Sequence, residues 1–264
     1  MGMKSVVITG STRGIGYGLA ESFLTLGCSV TVSGRSPVGV EQAVTTLSST
    51  RKADTVFGVP CDVICFEQVQ TLWDAARAHF GRVDIWINNA GISHPQMDWW
   101  TLPPAQIEAV VETNLLGAMY GAKVALSGML EQGFGSLYNM EGLGSDGRRV
   151  PGLILYGSTK HGLRYLTDAL VQEMRGTPVL VGAIRPWMVV TDLLTRQYRE
   201  RPEDWERARQ IFNILADRVE TVTPWLARRI LANTRHGVRI TWLTGGKVMA
   251  RFLMARFRKR DLFG

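Results

Sequence analysis

The sequence predicts an α/β fold of the doubly wound kind, in which helices cover both faces of a parallel sheet, and three observations carry that expectation. From residue 5 onward, short β-branched or apolar runs alternate with longer segments of helical period, without repeats or low-complexity linkers. Runs such as Val6-Val7-Ile8 and Val179-Leu180-Val181 are apolar without a break, as strands buried on both faces are. The first run leads straight into Gly10-Ser11-Thr12-Arg13-Gly14-Ile15-Gly16 and then into an apolar-periodic segment with Leu19, Phe23 and Leu26.

A chain of 264 residues with 45% hydrophobic and 20% charged content is long enough for one substantial core and sits near the upper end for one. We therefore expect a single domain spanning residues 1–264. Candidate strands are Ser5 to Thr9, Ser29 to Ser33, Thr55 to Val59, Val83 to Asn88, Gly135 to Asn139, Val179 to Ile184 and Val238 to Leu243, with room for crossover helices between them. No stretch of ~18 uninterrupted apolar residues occurs, so a transmembrane helix is not expected. Met1-Gly2-Met3-Lys4 passes directly into the first strand without a small-residue cleavage site, so no signal peptide is expected and the localisation read from the sequence is cytoplasmic. Cys28, Cys61 and Cys65 are odd in number and lie in no zinc-type cluster, and we read them as reduced core thiols. His79, His94, His161 and His236 show no ligand spacing, and no metal is assigned.

The formal net charge is +7, and residues 247–260 hold Lys247, Arg251, Arg256, Arg258, Lys259 and Arg260 without an acid. A basic balance suits nucleic acid, an anionic membrane surface or a phosphorylated ligand. No recognised module surrounds these cations, so nucleic acid is not an expected partner. As a helix, the tail (247–264) is moderately amphipathic. Lys247, Arg251 and Arg258 share one face, Val248, Met249, Phe252, Leu253 and Phe257 spread over the other, and Arg256 and Arg260 spoil the segregation. Peripheral membrane contact and docking of the tail on its own or a partner subunit both remain open.

Gly10, Gly14 and Gly16, placed between a strand and a helix, permit a tight turn, let the backbone approach a pyrophosphate and allow close helix packing. The helix N-terminus then presents N–H groups to the anion. A dinucleotide is the ligand such a turn takes, with Ser11, Thr12, Arg13 and Ile15 at its surface. At the end of the second strand, where an acid would hold the ribose 2′-hydroxyl of NAD, the chain reads Val32-Ser33-Gly34-Arg35-Ser36. Arg35 beside Ser36, together with Arg13, would grip a 2′-phosphate, which favours NADP(H) and leaves NAD(H) as the alternative. Plain surface arginines are the other explanation. Asp62, ahead of Val63, would accept a hydrogen bond from the adenine amino group or else cap a helix. Asn88-Asn89-Ala90-Gly91 ends the fourth strand with small and amide residues, which suits a nucleotide crevice or an ordinary turn.

In Tyr156-Gly157-Ser158-Thr159-Lys160 the tyrosine and lysine are four apart, so on a helix both project from one face. A free phenol has a pKa of ~10, and a nearby ammonium would stabilise the phenolate and lower it towards the working range. The pair suits general acid/base work, although the spacing alone also fits a solvated helix face.

Together, Thr9-Gly-x-x-x-Gly-Ile-Gly16, Asp62, Asn88-Asn-Ala-Gly91, Asn114 in Thr113-Asn114-Leu115, Tyr156-x-x-x-Lys160 and Arg185-Pro186 before Thr191 resemble the short-chain dehydrogenase/reductase family. The motifs span almost the whole chain, in order. The resemblance implies a Rossmann-type doubly wound sheet and hydride transfer between NADP(H) or NAD(H) and a small-molecule carbonyl or alcohol, with Tyr156 as acid/base. It further implies that Lys160 binds the nicotinamide ribose and lowers the tyrosine pKa, that Asn114 holds a relay water, and that Asn89, Ala90, Gly91, Pro186, Val189 and Thr191 line the cofactor. A homodimer or homotetramer is implied with it. The family commonly has a Ser-Ser pair that polarises the carbonyl. Here the matching positions are Glu141 and Gly142, and Ser145 is the nearest hydroxyl able to replace it.

Asn139-Met-Glu-Gly-Leu-Gly-Ser-Asp-Gly147, Tyr156-Gly-Ser-Thr-Lys-His-Gly-Leu-Arg164 and Phe212-Asn-Ile-Leu-Ala-Asp-Arg-Val-Glu-Thr-Val222 are similar to the chlorophyll b reductases and their bacterial relatives. This resemblance implies reduction of a formyl group on a tetrapyrrole; a small ketone, sugar or acyl substrate stays open. Trp187 stands where the family usually has glycine. Residues 187–218, with Leu193, Tyr198, Trp205, Ile211 and Leu215 in helical period, suit a helical substrate lid that Trp99 and Trp100 would join, and hence a hydrophobic substrate. The missing serine pair gives weight to a different class, a non-catalytic dinucleotide-binding sensor or scaffold.

Overall fold

The computed structural model describes residues 2–49, 53–198, 202–255, 257 and 260–263. Arg256, Arg258 and Lys259 of the basic tail, and residues 199–201 of the expected lid, lie outside the described residues. Strand β1 (Ser5–Ile8) runs into helix α1 (Gly14–Thr25), and the alternation continues through β2 (Ser29–Gly34), α2 (Pro37–Ser48), β3 (Val56–Pro60), α3 (Phe66–Phe80) and β4 (Ile85–Asn88). Next come α4 (Pro104–Val111), a π-helical turn at Glu112–Leu116, α5 (Gly117–Gln132), β5 (Gly135–Met140), α6 (Ile154–Glu173) and β6 (Val179–Arg185). The last third holds β7 (Val189–Val190), α7 (Asp192–Thr195), α8 (Pro202–Leu215), β8 (Asp217–Arg218), α9 (Val219–Leu231), β9 (Arg239–Thr241) and α10 (Gly245–Ala255).

All seven expected strands are present and form one sheet of order β3-β2-β1-β4-β5-β6-β9, parallel throughout. Their ends differ from the expected ones by one or two residues. A second, two-stranded sheet, β7 with β8, was not expected, because strands of two residues carry no period-2 signal.

Side-chain alternation along the strands sorts the core into two layers. Val6, Ile8, Val30, Val32, Ile85 and Ile87 pack with α1, α2 and α9 on one face. Val7, Trp86, Leu137 and Val181 pack with α3 and α5 on the other. Cys28 and Cys61 are buried there as free thiols, and burial pushes them up to about 11 and about 12. Cys65 departs from the core assignment: half-buried, it occupies the N-cap of α3. No helix among the described residues is long and apolar enough to cross a membrane.

The strand order reverses between β1 and β4, which opens a crevice at their carboxyl ends. A buried amide pair holds the next strand in place. Asn88 Oδ1 accepts from Trp86 Nε1 at 2.7 Å, and its Nδ2 donates to Ala118 O at 3.0 Å and Asn139 Oδ1 at 2.9 Å. Asn139 Nδ2 donates in turn to Thr167 Oγ1 at 2.9 Å, so β4, β5, α5 and α6 share one polar network inside the core. Asn88→Ala would leave three buried partners unpaired and is expected to lower unfolding free energy by about 3 kcal/mol in urea titration.

Candidate active site

The crevice begins where β1 and β4 end. Gly10 takes φ 63° and Gly14 φ 58°, left-handed values that glycine adopts without strain. A Cβ on Gly10 would stand 2.9 Å from the Cα of Ala90, so the backbones after the two strands nearly touch. Thr9 Oγ1 accepts from the N–H groups of Asn89 at 3.0 Å and Ala90 at 3.1 Å, and Asn89 Nδ2 donates to the carbonyls of Thr9 at 2.9 Å and Gly10 at 3.0 Å. Asn89 is therefore a brace between two loops. Ser11 is a brace as well: its buried hydroxyl donates to Ile8 O at 2.7 Å and accepts from Ser33 N at 2.9 Å. Ile15 packs partly buried against the core behind the turn. No side chain caps α1 and its first turn carries no acid, so its positive end stays open to an anion. Thr191 approaches from the far loop, its Cγ2 3.5 Å from a Cβ built on Gly14. Pro186 and Val189 are buried, and Gly91 brings backbone to within 3.6 Å, Cβ position to Nζ, of Lys160.

On the β2 side an open cleft of about 710 Å³ is lined by Thr12, Arg13, Tyr17, Arg35, Ser36 and Thr46, among others. Both arginines are exposed, and neither guanidinium makes a hydrogen bond or ion pair with a described residue. Ser36 Oγ caps α2, accepting from Gly39 N at 3.2 Å. Asp62 does not cap α3, whose N-cap is Cys65. One of its carboxylate oxygens accepts a long bond from Ile64 N at 3.4 Å, and the side chain of Val63 packs beneath Gly117.

Tyr156 and Lys160 sit in the first turns of α6. The backbone N–H of Tyr156 donates to His94 Nε2 at 3.4 Å, and His94 Nδ1 lies 2.8 Å from Pro95 O. A neutral, Nδ1-protonated imidazole satisfies both contacts. Lys160, 4% exposed, donates from Nζ to Met140 O at 3.1 Å, which leaves two of its three N–H donors for a ligand. Asn114 lies in the π-helical turn, a feature frequent at functional sites. Its amide accepts from Ile92 N at 2.8 Å and donates to Ile92 O at 2.9 Å and Thr159 Oγ1 at 3.2 Å.

The electrostatics of the pair run against the expectation. Burial pushes the Tyr156 phenol up to about 12. Burial also lowers Lys160 to about 8, with the Glu141 carboxylate opposing that fall. The ammonium is 5.7 Å from the tyrosine ring centroid and bonded elsewhere, so desolvation outweighs its pull on the phenol.

Ser145 is held by arginines. Its buried hydroxyl accepts from Arg185 Nη2 at 3.1 Å, and its carbonyl accepts from Arg164 Nη1 at 3.3 Å, which leaves its O–H as a donor. Gly142 is the position beside the phenol, since a Cβ there would stand 2.6 Å from Tyr156 Oη. Glu141 has turned away into the protein. Fully buried, it accepts from Arg185 Nε and Nη2 at 3.1 and 2.9 Å and from Arg239 Nε at 2.8 Å. Sequence reasoning missed this clamp, and Arg239, 98 residues away in the chain, carried no local signal of it. Trp187 adopts φ 65°, alone among the described non-glycine residues. Its ring lies under Arg148 at 5.4 Å, and its buried Nε1 has no hydrogen-bond partner.

A second cleft, of about 720 Å³, opens among Gln96, Met97, Gly152, Tyr198, Arg207 and Ile211, among others. The segment 92–98 that walls it also supplies His94 to the backbone of Tyr156. In the expected lid, α7 and α8 are helical, and Tyr198, Trp205 and Phe212 pack edge-on or tilted against one another, with Trp205 and Phe212 also meeting Phe263 of the tail.

A doubly wound parallel sheet with an open helix N-terminus at its switch point, and a half-buried tyrosine with a buried lysine in the same crevice, is a frame suited to a dinucleotide. The family profile described as short chain dehydrogenase matches residues 4–202. The probable chlorophyll(ide) b reductase NYC1, chloroplastic, of Oryza sativa subsp. japonica is 35% identical over 278 residues, covering 99% of this chain and 54% of its own length. This chain thus spans about half the length of that relative. Chlorophyll(ide) b reductase NOL, chloroplastic, of the same species is 37% identical over 258 residues, covering 94% of this chain and 73% of its own. Among solved structures, 3-ketoacyl-(acyl-carrier-protein) reductase from Brucella melitensis complexed with NADH has a TM-score of 0.80 at 25% identity, covering 93% of this chain and 98% of its own. ElxO with NADP bound has a TM-score of 0.80 at 26% identity, covering 94% of this chain and all of its own. The chain belongs to the short-chain dehydrogenase/reductase family and carries its NAD(P)-binding Rossmann fold.

Removing Glu141 tests the clamp. Glu141→Ala strips the carboxylate from two half-buried guanidinium groups and is expected to cost about 3–5 kcal/mol in urea unfolding. The same change should move Lys160 further below its ordinary value, because the opposing carboxylate is gone.

Proposed function

We propose that the chain is an NADPH-dependent carbonyl reductase acting on a large hydrophobic substrate, the formyl group of a chlorophyll b-like tetrapyrrole. The observation that carries the reductase reading is the Tyr156-Lys160 pair, a half-buried phenol and a buried ammonium in the crevice that the open N-terminus of α1 faces. Bound NADPH would supply the hydride that reaches the carbonyl carbon. Tyr156 gives its proton to the carbonyl oxygen, and a phenol raised to about 12 is held protonated at neutral pH, ready to donate. An alkoxide is more basic than a phenolate, so the proton moves from Tyr156 to the developing alkoxide. Lys160, charged below about 8, holds the nicotinamide ribose with its two unused donors, and Asn114 orders the water that returns a proton to Tyr156.

The substrate reading draws on the two named plant relatives and on exposed apolar side chains at and next to the second cleft. Ile211 lines that cleft, and Trp99 and Trp100 follow its wall residue Asp98, all three exposed. Segment 187–218 then serves as the lid. The glycine at position 142, beside the phenol, favours a second reading, a dinucleotide-binding sensor without turnover; a panel of formyl and keto substrates with NADPH decides between them.

For the enzyme, Tyr156→Phe is expected to lower kcat at least ~100-fold with NADPH affinity retained, measured by NADPH oxidation and fluorescence titration. Retained turnover would remove Tyr156 from the mechanism. Arg35→Glu is expected to weaken NADPH at least ~10-fold and NADH little, because only NADPH carries the 2′-phosphate. Equal losses for both cofactors would end the NADP assignment.

A further inference from the structure

Helix α10 is amphipathic in an inverted sense. Its cations turn towards the protein. Arg251 donates from Nη2 to Asp217 Oδ2 at 2.7 Å and from Nη1 to Leu215 O at 3.0 Å. Lys247 donates to Trp242 O at 3.3 Å and lies 5.2 Å from the Trp242 ring centroid. Beyond the helix, Arg260 reaches Asp217 Oδ1 at 2.8 Å and Ala216 O at 3.0 Å. Asp217 is 4% exposed and also accepts from Trp242 Nε1 at 2.7 Å, so one buried carboxylate fastens the helix and the tail to the end of α8.

The apolar residues are left outside. Met249 is 68% exposed, Phe252 47%, Leu253 59%, Met254 58% and Phe257 92%. Single exposed apolar residues are ordinary, but four on one short helix with Phe257 just beyond it form a patch that calls for an occupant. The positions 249, 252 and 253 follow helical spacing within α10, so they make one stripe.

Charge identifies the occupant. Between Lys247 and Arg260 the chain holds six cations and no acid, and Arg256, Arg258 and Lys259 flank Phe257 in sequence. A second copy of the same face is disfavoured. Parallel pairing would oppose like charges, and antiparallel pairing would bring the basic C-terminal end against Lys247 and the positive end of the partner helix. An anionic lipid surface meets the apolar stripe and suits the three cations that flank Phe257 in sequence, Arg256, Arg258 and Lys259. At 11 residues, or ~16 Å, the helix suits lying in the interface and is too short to cross it.

We propose that α10 and the residues after it dock the protein on an anionic bilayer, with Met249, Phe252, Leu253, Met254 and Phe257 in the boundary between headgroups and acyl chains. Because Asp217 ties α10 to the end of α8, docking holds the helix that walls the second cleft beside the membrane, whatever the substrate.

Co-sedimentation of the full chain with vesicles tests this directly. The unaltered chain is expected to bind phosphatidylglycerol/phosphatidylcholine vesicles, to release with rising salt, and to bind pure phosphatidylcholine far less. The variant Phe252→Ser/Leu253→Ser/Phe257→Ser, altered only at exposed positions, should lose at least ~10-fold in partition and keep its mass in lipid-free sedimentation equilibrium. Absence of binding by the unaltered chain, or equal binding by the variant, overturns the proposal. Equal binding to neutral vesicles overturns the choice of an anionic surface. A fall in oligomer mass in the variant makes the face a subunit interface and overturns it too.

Discussion

The closeness of two backbones at the switch point governs this structure. Gly10 and Ala90 approach so nearly that a side chain on the first would collide with the second, and Thr9 and Asn89 fasten the approach with four hydrogen bonds. Those bonds satisfy backbone groups that leave the sheet ladder where β1 and β4 end, and buried backbone groups need partners. Because they are satisfied internally, the N–H groups at the start of α1 are left to a ligand. One local constraint thus closes the sheet, aims a helix N-terminus into the crevice and consumes two residues, Ser11 and Asn89, whose polar side chains looked in sequence like ligand contacts.

Further along the same edge, burial sets the chemistry. Lys160 is held in a site that disfavours its charge, and the carboxylate that offsets part of that cost, Glu141, is itself fully buried and shared between Arg185 and Arg239. Asp217 repeats the device nearer the C-terminus with Arg251 and Arg260. A buried carboxylate with two guanidinium partners is costly to break from one side, so each cluster fixes the register of segments far apart in sequence. Much of the basic excess is therefore internal structure, and only the remainder is free to act on partners.

The fold was legible because its signals are local. Seven apolar strands, a glycine-rich turn after the first, and Tyr156 four residues before Lys160 all act over a handful of residues, and the structure sets each strand within two residues of its expected ends. What escaped the sequence depends on contacts between distant segments. The two-residue strands β7 and β8 pair across 28 residues, the π-helical turn carrying Asn114 has no compositional mark, and the Glu141 clamp joins β5, β6 and β9. The expected lowering of the tyrosine pKa failed for a related reason: spacing on a helix gives proximity, but not the burial that decides which term dominates.

Trp187 and Gly142 belong to one departure. Family glycine would sit at φ 65° without strain, whereas an indole held there costs of order 1 kcal/mol or more and persists only where its surroundings enforce it. Its ring is held under Arg148, and its buried N–H is left without an acceptor. On the facing strand end, the position beside the phenol carries no hydroxyl, because it is Gly142, and the oxygen of Ser145 is held by Arg185. A chain that has given up one hydrogen-bond donor near its acid and keeps another donor buried, strained and unpaired on the next loop has not merely lost a group. It keeps polar capacity on the loop after β6 that the end of β5 does not offer.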